Sequence, residues 1–499
     1  MTAWIDQLDL LIRSRAPILW IRQQEEERLL RLLTEVARRL DQRPLLRWDV
    51  VAGLQGLPNH EGRAARQPLQ ALDLFELLPD RQPALLLLLD FHRYVEDSAV
   101  CRRLRNLAGA LRRQERTLLI SSPEVQLPRE LEASVTVLDL PLPDPGEIRA
   151  LLQSLAQAAG APLPATTLDT LASNCRGLPE QRIRQLAARA LVRHGGLDAA
   201  DLDDVLEEKR LTLARSDLLE YCPSQASRAD IGGLDQLKQW LERRRGAFGA
   251  EARAYGLPPP RGVLLVGPQG TGKSLTARAI AHDWAMPLLR LDLGRLFAGL
   301  VGASEARTRE MIRTVEGMAP CILWIDEIDK GFGVDGRSDG GTSQRVLATL
   351  LTWMAEKTSP VFVVATANAI DRLPAELLRK GRFDEIFLLD LPSADERRQI
   401  LDLQLRRRRP DHTIPLDTLV DRCAGFSGAE LEQIVLEAML TAFSEGREFA
   451  EADLVAAASD LIPLSRTARE SLEALQRWAA QGRARPAGRL RSFTNSHGE

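Results

Sequence analysis

"RGVLLVGPQGTGKSLTARAIAHDW", Arg261 to Trp284, passes from an apolar run through a glycine-rich turn into apolar residues at helical spacing. That order predicts a strand, a loop and a helix. The turn satisfies G-x-x-x-x-G-K-[ST] through Gly267, Gly272, Lys273 and Ser274; Pro268, Gln269, Gly270 and Thr271 fill it and Leu275 follows. Glycines let backbone N–H groups converge on phosphate oxygens, and the next helix offers its positive N-terminal end. Lys273 would reach the outer phosphates and the Ser274 hydroxyl would ligate Mg²⁺, so the expected ligands are ATP or ADP with Mg²⁺.

About fifty residues on, "CILWIDEIDK" (321–330) supplies a second unbroken apolar run that ends in acids. A run without alternation suits a strand covered on both faces of a parallel sheet. Asp326 can complete a metal shell and Glu327 can orient and deprotonate an attacking water, whereas taken alone such acids also cap the following helix. A third run, "PVFVVATAN", ends at Asn368, placed to hydrogen-bond the nucleophilic water or the γ-phosphate. Before a fourth run, Arg379 and Arg382 bracket a glycine in "LLRKGRFD". They read either as cations supplied to another subunit's phosphate or as a solvated charge pair.

Together these motifs resemble the classical clade of AAA+ ATPases from about Asp230 to Leu461. "DIGGLDQLKQWL" is similar to that family's opening helix, "GPQGTGKS" to Walker A, "ILWIDEID" to Walker B, "ATAN" to the first sensor and "LLRKGRFD" to paired arginine fingers. The resemblance implies an α/β fold: a P-loop αβα parallel-sheet domain with a helical lid, assembled as a homo-oligomeric ring, usually a hexamer. Arg379 and Arg382 would then act in the neighbouring subunit's site. By the same resemblance "CAGFSGAELEQIVLEAM" is the second-sensor helix, with Gly428 and Ala429 near adenine and ribose, and Ile231 and Gly232 line the base pocket opposite.

Two departures bear on coupling. "FAGLVGASE" (297–305) resembles the family's substrate-gripping pore loop, but Leu300, Val301 and Gly302 stand where the pattern is aromatic, hydrophobic, glycine. An aliphatic residue lacks the flat area that makes aromatic contacts strong. In "LLTWMAEKTSP", Met354, Ala355 and Glu356 replace the family's intersubunit signalling D-G-F. The segment 333–343 is too glycine-rich for a helix or strand and reads as a mobile loop, which by the resemblance would face the ring's centre.

The first half repeats the second without its chemistry. "TLDTLASNCRGLPEQRIRQLAARAL" (167–191) runs against "PLDTLVDRCAGFSGAELEQIVLEAML" (415–440) without a gap, and "LDLPLPDPGEIRALL" echoes "LDLPSADERRQIL". Upstream, "APILWI", "PLLRWDV", "PALLLLLDF", "RTLLISS" and "SVTVLDL" alternate with helical patterns, as a parallel sheet requires. Where a phosphate loop should follow the first strand stands "RQQEEERLL", acidic and without glycine. Asp90 matches the Walker B aspartate, with Phe91 in place of the catalytic glutamate. The expectation is a degenerate AAA-like α/β domain that binds no ATP.

The resulting layout is a degenerate domain over 1–140, a lid-like helical part over 141–205, a linker over 206–229 with a hinge at 216–228, an ATPase core over 230–391, a lid over 392–465, and a helix with a basic tail over 466–499 that lacks a core from 481 on. This layout resembles the hypothetical chloroplast open reading frame 46 family of cyanobacteria and plastids. That resemblance implies an AAA ATPase linked to regulation of photosynthesis or inorganic-carbon use.

With 499 residues the chain exceeds one core. A balance of 66 basic and 69 acidic residues gives no global pull toward nucleic acid or membrane, and no basic stripe with interleaved aromatics marks a nucleic-acid site. The five scattered cysteines form no C-x-x-C pair, and the charged amino terminus has neither signal-peptide nor membrane-span character, so a cytoplasmic location is expected. Arg406 to Arg409 read as a solvated helix end ahead of a partner site. Two functions compete: an Mg²⁺-dependent ring ATPase making limited rearrangements in a protein or complex, and an ATP-gated switch that binds a regulatory protein without translocation.

Overall fold

In the computed structural model the apolar runs become strands of two sheets. The structure describes residues 2–57, 60–79, 82–198, 201–213, 218–223, 226–297, 303–331 and 342–488. The chain divides into two compact units, 1–206 and 207–499.

The first unit holds β1 (Ile18–Arg22), β2 (Leu45–Asp49), β3 (Gly53–Gln55), β4 (Ala84–Leu89), β5 (Arg116–Ser122) and β6 (Val135–Asp139) in the order β3-β2-β4-β5-β1-β6. All neighbours are parallel except the antiparallel edge pair β2 and β3. β4 is buried along its whole length because helices cover both faces: Trp48, Phe75 and Phe91 pack on one, Leu29, Leu33 and Val36 on the other. A separate helical core around Ile148, Leu171, Ile183 and Leu186 follows.

The second unit holds β7 (Leu219–Cys222), β8 (Gly262–Val266), β9 (Leu288–Leu291), β10 (Cys321–Ile325), β11 (Val361–Ala367), β12 (Glu385–Leu388) and β13 (Arg485–Pro486), in the order β13-β12-β8-β11-β10-β9-β7. Within it β12-β8-β11-β10-β9 reproduces β6-β1-β5-β4-β2 of the first unit strand for strand. In each, the order reverses beside the first strand of the motif, where ligands bind at the carboxyl ends. The lid helices from Ala394–Arg408 to Glu451–Asp460 share their own core of Leu401, Leu419, Leu431, Ile434 and Leu454. Both lids open with the same reciprocal cap, Asp144 with Glu147 and Ser393 with Glu396.

Two sequence expectations are corrected. The hinge expected over 216–228 contains β7, which pairs antiparallel with β9 and buries Leu219. The helix expected at the start of 466–499 spans Arg469–Trp478, but the stretch from 481, read as coreless, contains β13 and the fully buried Ala487. The Ala487 N–H donates to Leu388 O, and its carbonyl accepts from Gln236 N and Leu237 N, so the segment caps helix Asp235–Glu242.

Candidate active site

The phosphate loop leaves β8 and enters helix Lys273–Asp283 through two left-handed glycines, Gly270 at φ 78° and Gly272 at φ 91°. A Cβ on Gly270 would sit 2.8 Å from Ser427 Oγ and 3.0 Å from the Ala429 Cβ, so this position is closed to side chains by the lid. The Ala429 N–H donates to Gly270 O at 3.0 Å, joining loop to lid. Lys273 is buried, its Nζ donating to Gly267 O at 2.7 Å and Pro268 O at 2.6 Å. Burial pulls its pKa down to about 8 against the opposing charges of Asp329, Asp326 and Glu327.

The acids stand at the end of β10. Glu327, at φ 49°, donates its N–H to Thr366 Oγ1 at 2.9 Å, and that hydroxyl donates to Asp326 Oδ1 at 2.7 Å. Asn368 Nδ2 donates to Glu327 Oε1 at 3.0 Å, while Lys330 Nζ lies 2.7 Å from Oε2. The bond from Lys330, more than the others, holds the Glu327 carboxyl below the usual range despite its partial burial. Buried Asp329 accepts from Asn368 N and Ala369 N at 3.2 and 3.1 Å and so fixes the end of β11. Arg290 Nη2 lies 3.5 Å from Asp326 Oδ2.

These groups line one cavity of about 420 Å³, within the range of small-molecule sites. Of the residues singled out in the sequence, Ile231, Gly232, Gln269, Gly270, Thr271, Gly272, Lys273, Ser274, Leu275, Asp326, Glu327, Asn368, Gly428 and Ala429 line it. Gly267 and Pro268 are not among the lining residues, but their carbonyls accept from the Lys273 that does line it. Arg379 and Arg382 are not among the lining residues: they flank Gly381 on the turn before β12, whose carbonyl accepts from Arg261 Nη1. Arg382 Nε is buried without a hydrogen-bond partner among the described residues. Leu300, Val301 and Gly302 lie outside the described residues, as does most of the glycine-rich segment. Met354 of the altered signalling triplet is a fully buried core residue.

Sequence reasoning missed Thr366, Asp329, Gln404, Arg407 and Glu432. Thr366, near the end of β11, and Asp329, in the short helix after β10, lie inside quoted motifs and were readable as polar residues there; the last three come from lid helices whose approach to the loop no local pattern encodes.

The corresponding place in the first unit carries different contacts. Gln23 N donates to Ser122 O as Gly267 N does to Ala367 O, and Leu140 N to Arg22 O as Leu389 N does to Val266 O. In this register Asp90, at φ 52°, corresponds to Glu327, and Leu89 to Asp326. The assignment of Asp90 to the metal-binding position is therefore corrected by one residue. Glu25 Oε1 accepts from Gln181 N at 3.2 Å, and Gln181 aligns with Ala429. The carboxylate thus takes the place of the Gly270 carbonyl. Arg28, buried, lies 3.4 Å from Glu25 and donates to Pro141 O at 2.6 Å, and Arg31 pairs with Glu180.

A model of the AAA family, the ATPase family associated with various cellular activities, matches residues 263–391, and one of an AAA+ lid domain matches 413–455. Models of the N-terminal and second domains of SpoVK-like AAA ATPases match residues 4–140 and 146–216. With the loop, the acids and the lid about one cavity, these matches define an AAA ATPase, an enzyme that hydrolyses ATP. The chain is 44% identical over 493 residues to the AAA domain-containing protein ycf46 of Trieres chinensis, covering 98% of this chain and 99% of the relative. Its identity to ycf46 of Pyropia yezoensis is 46% over 483 residues, 96% and 98% of the two chains. The chain belongs to the ycf46 family. A narrower similarity, 34% over 251 residues, reaches the ATP-dependent zinc metalloprotease FtsH of Thermotoga maritima, covering 48% of this chain and 40% of that one. No helix among the described residues is long and apolar enough to cross a membrane.

Proposed function

We propose that the second unit is an Mg²⁺-dependent ATPase completed by a neighbouring copy of the chain, and that its cycle drives limited rearrangement of a bound protein. The carrying observation is that loop, acids and lid meet in one cavity while Arg379 and Arg382 stand outside it. Backbone N–H groups of Gly270 to Ser274 cradle the phosphates and Lys273 draws charge from the outer ones. The cavity's donor set fits Mg²⁺, with the Ser274 hydroxyl and Asp326 carboxylate as the hard oxygen ligands that would hold it. When bound it neutralises phosphate charge. Glu327 takes the proton of the attacking water, Asn368 orients that carboxylate, and Thr366 fixes both acids.

Arg379 and Arg382 serve the next subunit, so the active form is a ring, with six members as the family pattern implies. Leu300, Val301 and Gly302 form the pore contact, and Leu300 favours short rearrangements over unfolding of stable domains. The first unit binds no nucleotide because Glu25 fills the phosphate-loop position. A nucleotide-gated switch without translocation is the second reading, favoured by the altered signalling triplet.

Steady-state ATPase per subunit, measured against protein concentration, separates them. Fingers supplied by a neighbour require a steep rise with concentration, and a flat profile supports the monomeric switch.

A further inference from the structure

The four consecutive arginines at the end of the first lid helix, Ala394–Arg408, have separate partners. Arg406 pairs with Asp402 at 2.8 Å and Arg409 with Glu448 at 2.8 Å, both within the lid. Arg408 braces the cavity wall, donating to Gln404 Oε1 at 2.6 Å and to Glu432 at 3.0 Å. Arg407 crosses to the core. Its Nη2 donates to Asp230 Oδ1 at 2.8 Å, and both residues line the nucleotide cavity.

Asp230 is held ready for this contact. Its other oxygen, Oδ2, accepts from Ser227 N at 2.7 Å and Ser227 Oγ at 3.0 Å, which fixes the carboxylate at the mouth beside Ile231 and Gly232. On the lid side, Gln399 and Glu396 bond Gly233 N and Leu234 N near the start of the same helix, close to the core–lid junction. Arg407 is eleven residues beyond Glu396, about 16 Å along the axis at 1.5 Å per residue. A lid swinging about the junction moves Arg407 further than Glu396 or Gln399, so opening of the base end strains this pair first among these contacts.

We infer that Arg407 and Asp230 form a clasp between lid and core that sets how long a nucleotide stays bound. The inference rests on the cavity being the nucleotide site. Arg407 is thereby a positioning residue: it holds the lid over the base while the groups at the acids do the chemistry. Because both partners are partly exposed, the clasp is worth about two- to fivefold in residence time and is weakened by salt.

The test uses the full chain and a fluorescent ADP derivative, with release followed by stopped flow. Arg407→Ala should release ADP about two- to fivefold faster, Arg407→Lys should lie nearer the parent, and Asp230→Asn, which keeps an acceptor for Ser227, should match Arg407→Ala. The double variant should be no faster than either single one. Raising salt should speed release from the parent more, in relative terms, than from the double variant. Equal release from parent and Arg407→Ala, or additive effects in the double variant, would overturn the clasp. Lys273→Ala, measured alongside, should lose binding; if it bound ADP like the parent, the site assignment itself would be wrong.

Discussion

Replacing Glu327 by glutamine removes a proton acceptor while conserving shape. The amide oxygen can still accept from Asn368, now 3.0 Å from Oε1, and the backbone bond to Thr366 is untouched. What is lost besides the charge is the contact to Lys330, whose side chain is 59% exposed, so the stability cost is at most about 1 kcal/mol. Loss of a positioned general base costs about 10²- to 10⁴-fold in rate, or roughly 3 to 5 kcal/mol of barrier. Calorimetry should therefore find ATP affinity within about threefold of the parent, while single-turnover hydrolysis falls at least about a hundredfold. Hydrolysis within a few-fold of the parent would refute the role of Glu327, and loss of binding would mean the side chain holds the loop instead.

Lys273 must be cationic to hold phosphate, and burial has lowered its pKa to about 8; ATP affinity should fall as pH rises through that value, with proton uptake detectable by calorimetry in buffers of different ionisation enthalpy. Affinity that stays level between about pH 7 and 9.5 would contradict it. Ala487 is fully buried against the core that contains Trp240 and Phe387, so Ala487→Leu should destabilise the second unit by about 1–3 kcal/mol in denaturant melts, whereas Arg483→Ala, at an exposed position, should leave the midpoint unchanged. Equilibrium dialysis with a non-hydrolysable ATP analogue should saturate at one nucleotide per chain and at none after Lys273→Ala; a second equivalent would show that Glu25 does not close the first unit.

The phosphate loop and the acids were legible because their chemistry is written in consecutive residues between a strand and a helix. The repeat was legible because "LDTL" and the apolar spacing after it survive in both lids, and the strand order bears out the duplication. Asp90 was misplaced by one position because "LLLLLDF" is uniformly apolar up to the acid; only pairing with β5 sets its register. β7 and β13 escaped because each is a short edge strand whose partner lies far along the chain, and β13 contains Pro486. Arg407 read as a solvated helix end, a fair description of Arg406 and Arg409, because nothing local records that Asp230 lies opposite.

The central claim is that each ATP site takes its arginines from the next copy of the chain. A mixture of Glu327→Gln subunits with Arg379→Ala, Arg382→Ala subunits tests it most directly, since each preparation alone should be nearly inactive. Where a finger-deficient subunit with an intact Glu327 meets a Glu327→Gln neighbour with intact arginines, a complete site forms, so the mixture should regain ATPase activity. Activity that stays at the level of the separate preparations, although mixed assembly is shown by cross-linking, would contradict the account.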